Sequence, residues 1–230
     1  MSEDKIYSKF VDAWKGRNQI QPKIVEKNWI DSYSEWAKGR NQYLTFLIRV
    51  RDEKIVKKIV EIQNKLSAIP CVDPFPKEYL HITVKECGFL AESEEYEDNV
   101  LTENIGRIIT QAQEILQAHS RFKVLLSRPN IFQDVAFIEI HDKGRIGAIN
   151  KQLQSIQEIR KIEYDYLNFL PHISISQFQN RQQFSKLIRY LEKSRETEFG
   201  ELTVNYIELV NAHLSGKYPI LKTIHAFKLR

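Results

Sequence analysis

At 230 residues, with 42% hydrophobic and 28% charged side chains, the chain has the length for a substantial core and the balance of an ordinary globular protein. A net charge of +4 favours a phosphate-bearing partner only mildly. Two cysteines, Cys71 and Cys87, stand in no CxxC or Cys/His cluster, which argues against a disulfide framework and a zinc site, and no apolar run nears the roughly 20 residues of a membrane span.

In chain order, the first 41 residues have helical spacing. Ile6, Phe10 and Trp14 share one face, as do Val25, Trp29, Tyr33 and Trp36, with Gly16 and Pro22 between the two segments. We expect residues 1–41 to be an N-terminal helical extension packed on a main domain of residues 42–230. The pentapeptide KGRNQ occurs at 15–19 and again at 38–42, each copy read as a helix end. The opening MSEDKIYSKF is charged and lacks an apolar core, so no signal peptide is expected. A cytoplasmic location, where two plain thiols stay reduced, is the expectation.

The main domain is more regular. A strand is predicted over QYLTFLIRV (42–50), then an amphipathic helix marked by Ile55, Ile59, Ile62 and Leu66. A strand over LHITVKECGF (80–89) follows, then an exposed acidic loop at ESEEYED (92–98), a helix from Val100 to Ala118, and a strand over RFKVLLSRP (121–129). The order then repeats. DVAFIEI (134–140) is a strand, Ile146, Ile149, Leu153 and Ile156 mark a helix, PHISISQF (171–178) is a strand, and Phe184, Leu187, Ile188 and Leu191 mark a helix. Strands over LTVNYIELV (202–210) and TIHAFKL (223–229) flank a Gly-Lys-Tyr-Pro turn. Corresponding elements of the halves stand about ninety residues apart, an internal repeat of two units. The expected fold is α+β and bilobed with a pseudo-two-fold axis, its lobes near 42–133 and 134–230. Pairing the lobes brings the two histidine strands together across a cleft.

Those strands carry the chemistry. Side chains alternate along a strand, so Ile82 and Val84 point one way, His81 and Thr83 the other. In the second copy Ile173 and Ile175 oppose His172, Ser174 and Ser176. A single His-x-Thr/Ser is most often a structural histidine. Two copies at equivalent points of a repeat point to a shared site. Two imidazoles can take opposite roles near neutral pH, one as base and one as acid, while the Thr83 and Ser174 hydroxyls donate to anionic oxygens. Facing one another, the four suit in-line displacement at phosphorus. No metal and no other cofactor is expected.

The paired HITV and PHISI motifs resemble the HxTx/HxSx signature of the two-histidine (2H) phosphoesterase superfamily, which includes 2′-5′ RNA ligases and RNA cyclic phosphodiesterases. The resemblance covers about residues 42–229. It implies antiparallel sheets lining a central cleft with helices outside, catalytic roles for His81 and His172, and phosphate contacts from Thr83 and Ser174. It also implies substrates with 2′,3′-cyclic phosphates or 2′-5′ linkages, in RNA ends or small nucleotides. Two other readings stand beside this enzyme: a module that holds a nucleotide such as AMP without turning it over, and a hydrolase of cyclic-nucleotide signals.

Other residues are weaker candidates. Lys85, Ser176 and Tyr218 are carried as substrate contacts, and Arg128 and Lys217 as charges that attract phosphate. Tyr79, Phe89, Tyr166, Phe169, Phe178 and Tyr218 flank the motifs or lie on expected cleft loops, where a ring could stack on a base. His119, His141, His213 and His225 have no matching partner and read as structural or surface residues. A monomer with no membrane contact and no obligate protein partner is expected.

Overall fold

The computed structural model describes residues 3–25, 28–160 and 169–230. Tyr166 lies outside them. Helix α1 (Glu3–Lys15) and two single turns, α2 (Trp29–Ser32) and α3 (Ser34–Ala37), make up the extension. The main domain adds α4 (Glu53–Leu66), α5 (Ile105–Leu116), α6 (Arg145–Leu153) and α7 (Phe184–Lys193). Asp52 starts α4: its Oδ1 accepts from the amides of Lys54 at 3.0 Å and Ile55 at 3.1 Å, satisfying donors that the first turn leaves open. Ile55, Ile59, Ile62 and Leu66 then fall on one face and are buried, each contributing about 1.5–3 kcal/mol as its apolar surface leaves water. Asp142 does the same for α6, accepting from the amides of Gly144 and Ile146.

Among the described residues, ten strands form two five-stranded sheets. The first runs β10 (Ile220–Lys228), β9 (Tyr206–His213), β1 (Gln42–Arg49), β3 (His81–Ala91), β4 (Asn99–Leu101). The second runs β8 (Gly200–Val204), β5 (Phe122–Ile131), β6 (Val135–His141), β7 (His172–Phe178), β2 (Val72–Pro74). Written this way the sheets correspond strand for strand, with β1–β3 matching β6–β7. All pairings are antiparallel except β3 with β4. One continuous apolar core runs through both sheets and their helices.

The sheets do not divide the chain at residue 133. Strands β2 and β5 from the earlier half sit in the second sheet, and β9 and β10 from the later half sit in the first. The stretch 202–210, expected as one strand, is two strands broken at Asn205 and given to different sheets. The physical sign is a change of phase: Leu202 and Val204 are buried in one alternation, Ile207 and Leu209 in the other. The helix expected from Val100 begins only at Ile105, because residues 99–101 pair with β3 first. At the far end of β3, Gly88 has φ +137°, and a Cβ there would meet the Asp98 carbonyl, so only glycine fits.

The sheets meet where β3 and β7 run alongside one another. Two buried amides cross this seam. Gln63 of α4 donates to the carbonyl of Ile175 on β7 at 2.7 Å and to that of Phe75 at 2.8 Å. Asn150 of α6 donates to the carbonyl of Val84 on β3 at 2.9 Å. Each helix thus holds the histidine strand of the opposite half, three residues past the histidine. Just past each motif the strand also carries a bulge, opposite Phe46/Leu47 in the first sheet and Ala136/Phe137 in the second.

The extension packs on both sheets. Trp36 lies 4.9 Å from Tyr43 and 4.5 Å from Phe89, on the first sheet. Helix α1 lies on the second, with Phe10 buried against Phe137 and its carbonyl accepting from Asn130 at 2.9 Å.

The seam amides give a stability test. Gln63→Leu removes a side-chain donor from the carbonyls of Phe75 and Ile175, and Asn150→Leu removes one from that of Val84; each is expected to cost about 1–3 kcal/mol, read as a lower urea midpoint. An unchanged midpoint in both variants would mean that the amides are incidental to the joint.

Candidate functional site

His81 and His172 open β3 and β7, and each ring is held in the same way. Nδ1 of His81 meets the Tyr79 carbonyl at 2.5 Å, and Nδ1 of His172 meets the Leu170 carbonyl at 2.8 Å. A carbonyl only accepts, so each Nδ1 carries the hydrogen, and Nε2 is the free nitrogen in both rings. Thr83 and Ser174 follow on the same strand faces, half-buried. Among the described residues, no hydrogen bond engages either hydroxyl.

The two rings differ in what lies across the strand. Arg49 of β1 stands opposite His81, and Glu139 of β6 stands opposite His172. Arg49 is fixed by the carbonyls of Glu78 at 2.9 Å and Leu221 at 2.8 Å, with the buried Glu208 carboxylate 3.4 Å from its Nε. Glu208 also holds Arg51 and Thr223, each at 2.7 Å. Glu139 takes Arg195 at 2.7 Å, Asn130 at 2.8 Å and His141 at 3.3 Å. Burial pushes the Glu139 carboxyl up, but the bonds from His141, Arg195 and Asn130 outweigh it and hold the group below the usual range.

These surroundings separate the imidazoles. Burial pulls His81 down, the Tyr79 carbonyl pulls it back, and the Arg49 and His172 charges add to the fall, leaving it at about 4. His172 is also lowered by burial, but the Leu170 carbonyl and the Asp134 carboxylate act the other way. The rings therefore sense each other and share one electrostatic environment, with a cation nearest His81 and an anion nearest His172.

Aromatic side chains wall the pair. Tyr79 meets His81 edge-on at 4.8 Å and stacks on Phe75 at 4.4 Å, and Tyr218 lies 5.8 Å beyond Phe75. Phe132 and Phe137 each lie 5.2 Å from the His172 ring. The Tyr218 hydroxyl donates to Asp73 at 2.6 Å, and Lys217 pairs with the same carboxylate at 2.8 Å. Tyr218 thus ends a chain of rings that leads to His81, and Lys217 is neutralised there.

Two expected substrate contacts are placed elsewhere. Lys85 is fully buried and its Nζ donates to the Arg160 carbonyl at 2.5 Å. Ser176 is also fully buried. Both follow the bulges, which break the alternation after Thr83 and Ser174 and turn the next side chains out of the series. Phe89 and Phe178 are core residues, and Arg128 is exposed on β5. His119 bonds Gln152 at 2.9 Å, and His225 packs on Phe227 at 4.6 Å.

Sequence reading missed Arg49, Glu139 and Asp134. A faint signal exists: each half ends an apolar strand with one charge, Arg49 after Leu47-Ile48 and Glu139 after Phe137-Ile138. Their facing the histidines depends on register, which a single sequence does not show. Among the described residues, no group of three His, Cys, Asp or Glu side chains is placed to hold a metal ion. No helix among them is long and apolar enough to cross a membrane.

Known proteins share this fold. The chain is 25% identical over 202 residues to an RNA 2′,3′-cyclic phosphodiesterase of Aquifex aeolicus strain VF5, covering 84% of this chain and 93% of that protein. Its fold matches TT0787 of Thermus thermophilus with a TM-score of 0.63 at 19% identity, over 82% of this chain and 98% of that one. It also matches E. coli LigT complexed with 3′-AMP, with a TM-score of 0.58 at 15% identity over the same shares. A family model, the 2′-5′ RNA ligase superfamily, matches residues 52–216 and so takes in both histidine strands: the chain belongs to that superfamily of two-histidine phosphoesterases.

Proposed function

We propose that this phosphoric diester hydrolase opens the 2′,3′-cyclic phosphate at RNA ends, with His81 as general base and His172 as general acid. The observation that carries the reading is the matched pair of Nδ1-anchored imidazoles, each presenting Nε2 beside a free hydroxyl two residues on. Nε2 of His81 takes a proton from water as its oxygen attacks phosphorus. One P–O bond of the ring breaks, and the departing ribose oxygen takes the proton from Nε2 of His172. The product is a phosphomonoester. Thr83 and Ser174 donate to the non-bridging oxygens as charge builds on them.

The roles follow from the neighbours. Arg49 disfavours a second positive charge at His81 and keeps it ready to accept a proton. Asp134 favours the protonated form of His172. A site that only held a nucleotide would have no need to separate its two imidazoles in this way, which favours turnover over storage. The curated relative named for this activity supports the choice of RNA cyclic ends. Two buried free thiols, Cys71 and Cys87, fit a reducing cytoplasm.

His81→Ala or His172→Ala is expected to remove nearly all turnover of a 2′,3′-cyclic nucleotide with the circular-dichroism melt preserved. Thr83→Val and Ser174→Ala should each lower kcat by about 10- to 1000-fold, the scale of a lost oxyanion donor. A histidine variant that keeps wild-type kcat would remove that residue from the chemistry. Turnover should persist in EDTA; loss restored by a divalent ion would overturn the proton-transfer scheme.

The pH profile tests the assignment. The free protein needs His81 neutral and His172 charged. Its kcat/KM should therefore rise as pH climbs through about 4 and fall as pH passes the lowered His172 value, with both limbs below 6.5. Bound phosphate stabilises the charged imidazoles and should move the kcat profile to higher pH. Stability has a related sign: folding lowers the affinity of both rings for a proton, so stability is fully present above 6.5 and falls as pH drops below it towards 4. A profile with its acid limb above 6.5 in kcat/KM would contradict these environments.

A further inference from the structure

A second charged surface lies at the end of β6, the strand that pairs with the His172 strand. Beyond Glu139, the strand β6 carries His141 on the same face, two residues and about 7 Å further along at a strand's rise per residue. There it borders a recess of about 600 Å³ between the end of β6, the start of β5 and the first turn of α6. Arg121, Lys123, Lys143 and Arg145 line it, and all four are exposed. Among the described residues that line the recess, two are carboxylates, Asp142 and Glu201. Asp142 is buried and occupied with the amides of Gly144 and Ile146. Glu201 pairs with Lys123 at 3.0 Å, an exposed contact of little strength. Among the described residues, no salt bridge engages Arg121, Lys143 or Arg145.

Helix α1 packs behind two of the lining residues. Tyr7 stacks on His141 at 4.2 Å with the rings 9° from parallel, and its hydroxyl accepts from the Lys143 amide at 2.7 Å. The extension, outside residues 52–216 that the family model matches, thus supports His141 and Lys143 at the recess. Four cations around one recess, three of them without a salt-bridge partner among the described residues, at the end of the strand that faces His172, suit a run of phosphates.

We propose that this recess is a subsite for the sugar–phosphate backbone of single-stranded RNA, taking phosphates upstream of the end that reacts. The proposal rests on the reading of the histidine pair as a site for RNA ends, and it adds that the chain prefers a polymer to a mononucleotide. Each phosphate held there releases counterions, so affinity for RNA depends on salt while affinity for a mononucleotide does so far less.

The test uses the full chain and a variant with Arg121→Gln, Lys123→Gln, Lys143→Gln and Arg145→Gln together. The substrates are a 2′,3′-cyclic mononucleotide and an RNA of about ten nucleotides with the same cyclic end, a length within the usual reach of a single-strand groove. The variant should keep mononucleotide kcat/KM within about twofold, lose about tenfold or more on the RNA through KM, and flatten the log–log salt slope by about 0.7 for each phosphate no longer held. Equal losses on both substrates, or none on the RNA, would overturn the subsite. If the wild-type chain turns over neither substrate, the reading of the histidine pair fails separately. Fluorescence anisotropy with a 3′-phosphorylated RNA then decides the recess: salt-dependent binding that disappears in the variant supports it, and equal binding by both proteins refutes it.

Discussion

The site depends on how a joint between two sheets is satisfied. Where β3 and β7 run side by side, buried carbonyls of both strands take a donor from outside the two sheets, and the loss of a donor to a buried carbonyl is costly. Gln63 and Asn150 answer this need from opposite sides. Each sits on a helix of one half and bonds the histidine strand of the other. The distance between the two motifs is therefore fixed by bonds just behind them, on the core side, which leaves the other face open for chemistry.

The same two strands show how precision and asymmetry coexist. Matching carbonyls at residues 79 and 170 fix the same tautomer in both rings. Matching bulges end both motifs after two outward side chains. The symmetry then stops: the cross-strand neighbour is an arginine on one side and a glutamate on the other. A repeat supplies two similar proton carriers, and a change of charge sign beside each one makes them unequal. That is the condition for one to give while the other takes.

Much of this was legible in the sequence, for physical reasons. The period of two in HITV and HISIS marks which side chains share a face, and the recurrence of the whole strand–helix order gives the two-unit plan. Neither depends on long-range register. What stayed hidden does depend on it. Lys85 and Ser176 continue the alternation on paper, but bulges bury both. Arg49, Glu139 and Asp134 matter because of what lies across a strand or a turn. The run 202–210 hides its break in a phase change of one residue, and the division into lobes fails because strands cross between the sheets. A sequence shows what each segment can be, while partners are decided by closure of the whole.

That crossing of strands has a consequence of its own. Each half gives up its trailing hairpin or strand to complete the other's sheet, so neither half contains a finished layer. The polypeptide is interlaced rather than beaded. Strands of each half are members of the other half's sheet, so the stability of the two sheets is coupled. The interlacing ties the two proton carriers to one framework: a strand lost from either sheet is lost from the layer that holds the other half's histidine.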